Sequence, residues 1–117
     1  MYSTFEDIKL KNILSEVTKE AKDLYGNKLK EIVLYGSYAK GQHDKESDID
    51  LMLLIDADES ELRYYNKELD NIMSEIGYRY MTVLSIIDMS CEKFNNWVDT
   101  LPFYRNIKNE GVIIYEQ

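Results

Sequence analysis

The sequence predicts an α/β (α+β) fold in which helices pack on a small mixed sheet. Four short apolar runs, typical of strands, alternate with segments whose apolar residues recur at helical spacing. The resulting order, α-β-α-β-α-β-α-β, is that of a layered sheet-and-helix domain. The chain has 117 residues and is 44% hydrophobic, and no linker, repeat or low-complexity stretch divides it. We therefore expect a single domain over residues 1–117.

The first half of the chain is predicted to form one long helix and two strands. Ser3 and Glu6 resemble a capping box, and the apolar residues that follow have helical spacing. Gly26 is expected to stop this helix. Short apolar and β-branched runs then predict a strand over about 30–35 and another over about 48–55.

A second long helix is expected to open near Asp58 and to end at Gly77, because apolar residues recur along it at helical intervals. The apolar run that follows predicts a third strand over about 79–87.

The last part of the chain is predicted to hold two helices and a final strand. Ser90 is a candidate cap for the first helix, and Pro102 favours the first turn of the second. The strand is expected over residues 112–115. Trp97 and Phe103 are expected to close the core, and a surface for a partner protein is the alternative interpretation.

The end of the first predicted strand has the composition of a phosphate-binding turn. Gly36 permits a sharp turn and a close approach of the backbone to a ligand. Ser37 is expected to cap a short helix, whose first N–H groups favour an anion. The Ser37 hydroxyl can donate to a phosphate oxygen, and Lys40 supplies a positive charge nearby. An ordinary Gly-Ser turn between a strand and a helix is the alternative.

Two carboxylates stand at the start of the second predicted strand. Because Asp48 and Asp50 are two residues apart, alternation places them on the same face, while Ile49 points into the core. Two carboxylates that converge repel each other, and a cation between them relieves the repulsion. Mg²⁺ prefers oxygen ligands of this kind. The alternative is that both aspartates are solvated at a strand end.

These residues carry a resemblance to a known family. Gly36, Ser37 and Gly41, followed by Ser47-Asp48-Ile49-Asp50, resemble the signature of the DNA polymerase β-type nucleotidyltransferase superfamily. The short length resembles its smallest branch, the minimal nucleotidyltransferases, which are often antitoxin partners of HEPN-domain toxins. A weaker likeness covers residues 102–111. The resemblance implies a nucleotidyltransferase fold, similar to the polymerase β palm.

The resemblance also implies roles for particular residues. Asp48 and Asp50 would be catalytic and would hold Mg²⁺. The nucleotide-binding residues would be Gly36, Ser37, Lys40 and Ser47. The substrate would be ATP or another nucleoside triphosphate, and the products would be a nucleotidylated acceptor and pyrophosphate.

The third predicted strand departs from the pattern of the superfamily. Active members generally add a third carboxylate there, and the centre of this strand holds no acid. Ser85 stands where the aspartate is expected. Asp88, the acid at the end of the stretch, is a candidate third metal ligand, and a helix cap is the alternative for it. Binding of nucleotide and metal is therefore better supported than transfer.

Composition limits the partners that we expect. The net charge is −8, and residues 31–60 carry eight acids against two lysines. Such a surface attracts Mg²⁺ and repels nucleic acid, so we expect no direct binding of DNA or RNA. No apolar run is long enough to cross a membrane, and no signal-peptide pattern is present. With Cys91 as the single cysteine, these features favour a cytoplasmic location.

Three functional hypotheses follow. The first is a Mg²⁺-dependent enzyme that transfers AMP from ATP to a hydroxyl, expected to be a tyrosine, of a partner HEPN toxin and so acts as its antitoxin. The second is a catalytically impaired antitoxin that binds nucleotide and neutralises its partner by binding. The third, less favoured, is a transferase that modifies a small molecule such as an antibiotic.

Overall fold

The sheet lies at the centre of the molecule. The computed structural model describes residues 4–42 and 48–117, with side chains from residue 8 onward. Within those residues the sheet has four strands, which are β1 (Leu29–Tyr35), β2 (Ile49–Ile55), β3 (Leu84–Ser90) and β4 (Val112–Glu116). Their spatial order is β3-β2-β1-β4, with β1 antiparallel to β2 and β4, and with β2 parallel to β3. The prediction of a small mixed sheet is confirmed.

Helices cover both faces of this sheet. In chain order they are α1 (Thr4–Tyr25), α2 (Ser37–Lys40), α3 (Glu59–Arg63), α4 (Asn66–Tyr80), α5 (Cys91–Trp97) and α6 (Pro102–Glu110). In the part of the chain that the structure describes, none of them is long and apolar enough to cross a membrane.

The two faces of the sheet bury separate apolar clusters. One face packs against α1 and α4, and its cluster includes Ile49, Leu51 and Leu53 of β2. The other face packs against α5 and α6, and its cluster includes Met52 and Leu54 of the same strand. This alternation assigns a face to each residue of β2 and of its neighbours.

Several predicted boundaries are confirmed. Helix α1 ends at Tyr25, directly before Gly26, whose φ of +59° suits a glycine. The Oγ atom of Ser90 accepts a hydrogen bond from the backbone N–H of Lys93 at 3.3 Å, so Ser90 caps α5. Pro102 opens α6. The proposed cap at Ser3 lies outside the described residues.

The region between β2 and β3 differs from the prediction. The long helix expected from Asp58 is divided into α3 and α4, and α4 continues past Gly77 to Tyr80. Gly77 instead allows a close approach of the chain, because a Cβ there would lie 2.8 Å from the carbonyl oxygen of Thr82. As a result β3 begins at Leu84, five residues later than predicted.

Trp97 and Phe103 also differ from the expectation that they close the core. Their side chains are 46% and 48% exposed. The residues of α5 and α6 that do pack on the sheet are Phe94, Val98 and Ile107.

Candidate active site

The site is built around the contact between Asp50 and Gly36. Asp50 pairs with Tyr35 across the antiparallel strands β1 and β2, so its side chain lies against the residue that follows Tyr35. A Cβ on Gly36 would lie only 2.4 Å from Oδ2 of Asp50. Gly36 also has φ +74° and ψ −152°, a conformation that is essentially restricted to glycine. The turn and the carboxylate can therefore share this space only when residue 36 has no side chain.

The turn leads into the short helix α2. Gly36 is its N-cap, so Ser37 is the first helical residue and not the cap that the sequence predicted. The backbone N–H of Lys40 donates to the carbonyl of Gly36 at 3.3 Å, and Gly41 ends the helix with φ +70°. The first N–H groups of a helix lack acceptors within it and favour an anion. Ser37, half-buried, stands at this end of α2.

The charge of Asp48 acts on the carboxylate of Asp50. Asp48 is exposed directly before β2, and Ile49 between them is 1% exposed in the core. Burial, followed by the charge of Asp48, raises the pKa of Asp50 above its ordinary range. Burial and the charge of Asp50 in turn raise the pKa of Tyr35. The two acids thus form a repelling pair beside the turn.

Helix α6 borders the turn from the other side. Nζ of Lys40 lies 3.2 Å from Oε2 of Glu110, and the ring of Phe103 meets that of Tyr35 edge-on at a centroid distance of 5.8 Å. A cavity of about 130 Å³ lies between them, lined by Tyr35, Gly36, Lys40, Phe103, Asn106, Ile107 and Glu110. Sequence reasoning missed this role of α6, and the weak likeness over residues 102–111 was the signal that pointed toward it.

Ser85 lies next to Asp50 on the neighbouring strand. The parallel register of β2 and β3 pairs Asp50 with Ser85. Ser85 alternates with Leu84 and Ile86, which face α1 and α4, so it shares the opposite face with Asp50. The serine therefore lies beside Asp50, where the resemblance to the superfamily predicts a third carboxylate.

The structure separates Asp88 from the pair. Asp88 is in register with Leu53, on the face that packs against α1. Its Oδ2 accepts a hydrogen bond from the Tyr25 hydroxyl at 2.9 Å, and burial raises its pKa. Asp88 neither approaches Asp50 nor caps a helix, because it lies within β3. We therefore leave it out of the metal site.

The wider surroundings add no further ligand set. Among residues 4–42 and 48–117, no group of three or more Asp, Glu, His or Cys side chains is arranged to hold a metal. Ser47, expected to bind nucleotide, lies outside the described residues. A larger cavity of about 550 Å³ runs along α1 beside Ile114 and shares no residue with the site.

Comparison with known proteins identifies the family of the chain. The family model described as the nucleotidyltransferase domain matches residues 14–114, which is most of the chain. The chain belongs to the nucleotidyltransferase domain family. The resemblance found in the sequence is thereby confirmed at the level of the family, and the chain is a nucleotidyltransferase.

Curated relatives of this nucleotidyltransferase come from Methanocaldococcus jannaschii. One protein, provisionally named a protein adenylyltransferase, is 32% identical over 105 residues, which is 87% of this chain and 94% of the relative. A second protein of the same organism and provisional name is 34% identical over 91 residues, covering 74% of this chain and 62% of the relative.

Solved structures share the fold. A toxin–antitoxin complex with AMP-PNP matches with a TM-score of 0.57 and 18% identity, covering 89% of this nucleotidyltransferase and 73% of the matched chain. A protein of Sulfolobus solfataricus, provisionally named a nucleotidyltransferase, matches with a TM-score of 0.55 and 13% identity, over 99% and 91% of the two chains. The MntA–HepT toxin–antitoxin structure matches with a TM-score of 0.52 and 14% identity, over 92% and 73%. The expected nucleotidyltransferase fold is confirmed.

Proposed function

We propose that this nucleotidyltransferase transfers AMP from ATP to a tyrosine hydroxyl of a partner HEPN toxin and acts as the antitoxin. The observation that carries the proposal is the contact of the Asp50 carboxylate with Gly36, with Asp48 beside it. This contact joins a turn suited to phosphate and an acidic pair suited to a cation. A nucleoside triphosphate with its metal ion needs both.

The acidic pair fits Mg²⁺ by its chemistry. The carboxylates of Asp48 and Asp50 supply the oxygen ligands that Mg²⁺ prefers. Burial, and after it the charge of Asp48, raises the pKa of Asp50, so a negative charge is unfavourable there and a cation would compensate it. When bound, Mg²⁺ supplies electrostatic stabilisation of the phosphate oxygens.

The turn and the residues around it would bind the triphosphate. Gly36 leaves the backbone accessible, and the hydroxyl of Ser37 would donate to a phosphate oxygen. Lys40 would supply positive charge from the last position of α2, where it already pairs with Glu110. Ser47 is retained as a nucleotide-binding residue on the resemblance alone.

The proposed transfer forms one bond and breaks one. The acceptor oxygen bonds to the α-phosphorus, and the bond from that phosphorus to the pyrophosphate oxygen breaks. In place of a carboxylate that could accept a proton, this chain has Ser85. The proton of the acceptor hydroxyl is therefore released to water.

The comparisons support a protein as the acceptor. The curated relatives carry the provisional name of protein adenylyltransferases, and solved neighbours include toxin–antitoxin complexes, one of them with AMP-PNP. The provisional names of the relatives favour a protein over a small molecule as the acceptor.

A second candidate function is supported by Ser85. A serine beside Asp50 provides no carboxylate to activate the acceptor, which favours an antitoxin that binds nucleotide and toxin without transfer. This alternative keeps the nucleotide site and the partner and differs only in turnover.

The test is an incubation of the purified chain with ATP, Mg²⁺ and the product of the neighbouring gene, which we expect to be a HEPN-type protein, followed by intact-mass spectrometry of both proteins. We expect one or more AMP groups on a tyrosine of the partner and none when Asp50→Asn replaces the wild type. A stable complex without AMP would favour the binding antitoxin. No complex and no transfer would contradict both.

A further inference from the structure

We propose that a groove between α1 and β4 binds an extended, acidic segment of a partner protein, which adds to the sheet as a further strand beside β4. The groove is the cavity of about 550 Å³ that Lys11, Lys19 and Lys22 of α1 line together with Ile114 of β4, and it is called here the α1–β4 groove. The inference goes beyond the proposed transfer and does not depend on it, because the groove shares no residue with the cavity beside the Gly36 turn.

Strand β4 leaves one side of its backbone available for pairing. Among the described residues it pairs with β1 alone and forms an outer edge of the sheet. Natural proteins often protect such an edge with lysine or proline, because unpaired N–H and C=O groups pair readily with another chain. The residues of β4 include neither, and Val112 and Ile113 are exposed. This edge is therefore suited to the addition of a strand.

A bulge in β4 gives the groove an apolar side next to that edge. Adjacent residues of β1, Ile32 and Val33, pair with residues of β4 that are two positions apart. Ile114 is the extra residue between them, and both Ile114 and Tyr115 pack against the cluster that α1 covers. Bulges redirect side chains in this way without adding a strand that would cover the edge.

The other side of the groove is basic, although the chain as a whole is acidic. The described residues that line it include three lysines and one acid, Asp23, whereas the net charge of the chain is −8. Nζ of Lys19 lies 3.8 Å from Oδ2 of Asp23, and Nζ of Lys22 lies 5.3 Å from the ring centre of Tyr115. Among the side chains that the structure describes, Lys11 and Lys22 form no salt bridge. The groove therefore presents positive charge that a carboxylate of another chain can reach.

The strand edge and the lysines together indicate an extended acidic peptide. A peptide backbone can pair with the N–H and C=O groups of β4, and every second side chain of the added strand would face α1. Glutamate or aspartate at those positions would meet the lysines. Nucleic acid has no backbone that continues a sheet, and the net charge of the chain repels it. We therefore commit to one occupant, a segment of a partner protein with acids at alternate positions.

A second copy of this chain fits the groove less well. The strand that it would add is β4, whose acid, Glu116, pairs with Glu31. Glu31 lines a cavity beside Phe94 of α5, so Glu116 lies on the face of the sheet away from α1. Antiparallel pairing of two β4 strands would also place both α1 helices on the same side of the sheet, where lysines would face lysines. Charge complementarity therefore favours a different, acidic chain.

The test uses two end-capped peptides of about six residues, a usual strand length. Val alternates with Glu in one peptide and with Lys in the other. NMR titration of the full chain with each peptide gives the Kd, and hydrogen exchange follows the amides of β4. Lys11→Glu and Lys22→Glu each reverse one charge of the groove. Lys67→Glu is the matched control, because Lys67 is exposed on α4 and does not line the groove.

We expect the Glu peptide to bind at least about tenfold more tightly than the Lys peptide. Lys11→Glu and Lys22→Glu should each weaken its binding by about fivefold, the upper scale for an exposed ion pair. Binding by Lys67→Glu should stay within about twofold of wild type, since salt screens charges that are far apart. The amides of residues 112–116 should exchange more slowly in the complex, because the added strand pairs with the edge.

No binding of the Glu peptide, or equal binding of the two peptides, would overturn the inference, as would an equal loss with Lys67→Glu. Unchanged exchange at β4 in the complex would mean that the lysines alone hold the peptide, which contradicts strand addition. Displacement of the Glu peptide by a single-stranded oligonucleotide would assign the groove to nucleic acid and overturn the inference. Self-association of the wild type that slows exchange at β4 would assign it to a second copy, with the same consequence. None of these outcomes depends on transfer of AMP, so a failure of the proposed function would be distinguishable.

Discussion

Oδ2 of Asp50 occupies the space in which a Cβ of residue 36 would stand, at 2.4 Å from that position. The carboxylate is the mobile end of its side chain, so a side chain at residue 36 would displace it. The glycine of the turn and the acid of the neighbouring strand thus depend on each other. The two sequence motifs are thus in direct contact in the folded chain.

We expect Gly36→Ala to abolish Mg²⁺-dependent ATP binding, because the new Cβ displaces the carboxylate of Asp50. The same change should lower the free energy of unfolding by roughly 1–3 kcal/mol, since the backbone conformation there suits only glycine. Gly26→Ala is the matched control, because Gly26 also has positive φ but no atom lies within 4 Å of its added Cβ. It should cost about 1 kcal/mol and leave ATP binding unchanged. Calorimetry measures ATP binding, and urea unfolding measures the free energy of unfolding. Equal ATP binding by Gly36→Ala and Gly26→Ala would contradict the dependence of Gly36 and Asp50 on each other.

The pH dependence of stability should reveal the repulsion at Asp50. Burial and the charge of Asp48 raise the pKa of Asp50, so the folded state binds its proton more tightly than the unfolded state does. Without divalent ions, the contribution of Asp50 to the free energy of unfolding is complete below the ordinary pKa of aspartate. It is lost as the pH rises through the folded-state value.

Asp50→Asn should remove the decrease in the free energy of unfolding that Asp50 causes as the pH rises. The metal-free variant should therefore be more stable than wild type at neutral pH. Urea unfolding of both proteins between about pH 3 and pH 7 tests this, the range that spans an aspartate pKa and its usual shifts. Adding Mg²⁺ should raise the Tm of the wild type and not that of Asp50→Asn. Identical pH profiles for the two proteins would show that Asp50 carries no unfavourable charge.

Ser85→Asp should increase transfer. The substitution places a carboxylate beside Asp50 on the same face of the sheet, where it can accept the proton of the acceptor hydroxyl. General-base catalysis contributes about 10²–10⁴-fold, so we expect a rise in kcat of at least about tenfold. Ser85→Asn, which has the same shape without the charge, is the control. Equal rates for the two variants, with ATP binding intact, would mean that position 85 does not face the acceptor.

Asp88 should affect stability without affecting the site. Its Oδ2 accepts the hydrogen bond of the buried Tyr25 hydroxyl, on the face of the sheet away from Asp50. Tyr25→Phe should lower the free energy of unfolding by about 1–3 kcal/mol, the cost of leaving a buried polar group without its partner. Binding of ATP with Mg²⁺ should be unchanged in Tyr25→Phe and in Asp88→Asn. A loss of metal-dependent binding in Asp88→Asn would restore Asp88 to the metal site.

The parts of the fold that the sequence predicts well are those with local signals. Helix α1 ends at Tyr25, directly before Gly26, and α5 begins after Ser90, because a helix stop and a helix cap depend on adjacent residues. The apolar runs of β1 and β2 are likewise local, and both strands lie within one residue of their predicted bounds.

The structure differs from the sequence prediction where tertiary packing determines the bounds of an element. Gly77 is a residue type that often stops a helix, but here its lack of a side chain allows the close approach of Thr82. The helix continues to Tyr80, and Met81 is its C-cap. A methionine in the left-handed region cannot be anticipated from propensity, since glycine or asparagine is usual there. The late end of α4 delays β3, and the register of β3 with β2 places Asp88 on the face opposite the carboxylate pair.

In the site, too, some features have local sequence signals and others depend on tertiary packing. The spacing of Asp48 and Asp50 with Gly36 predicts a shared site, and the register of β1 and β2 brings Asp50 to that glycine. The neighbours contributed by α6, Phe103 and Glu110, come from almost seventy residues away. Only the folded chain brings them to the turn, so no local pattern predicts them.

The most direct test of the central claim is calorimetric titration of ATP into wild-type protein and into Asp50→Asn, each with Mg²⁺ and with EDTA. We expect ATP to bind the wild type with Mg²⁺ and to bind at least about tenfold more weakly in EDTA or to Asp50→Asn, which corresponds to loss of one charge-assisted contact of about 1.4 kcal/mol. Wild-type affinity in Asp50→Asn, with or without Mg²⁺, would contradict a metal-dependent triphosphate site at Asp50 and Gly36.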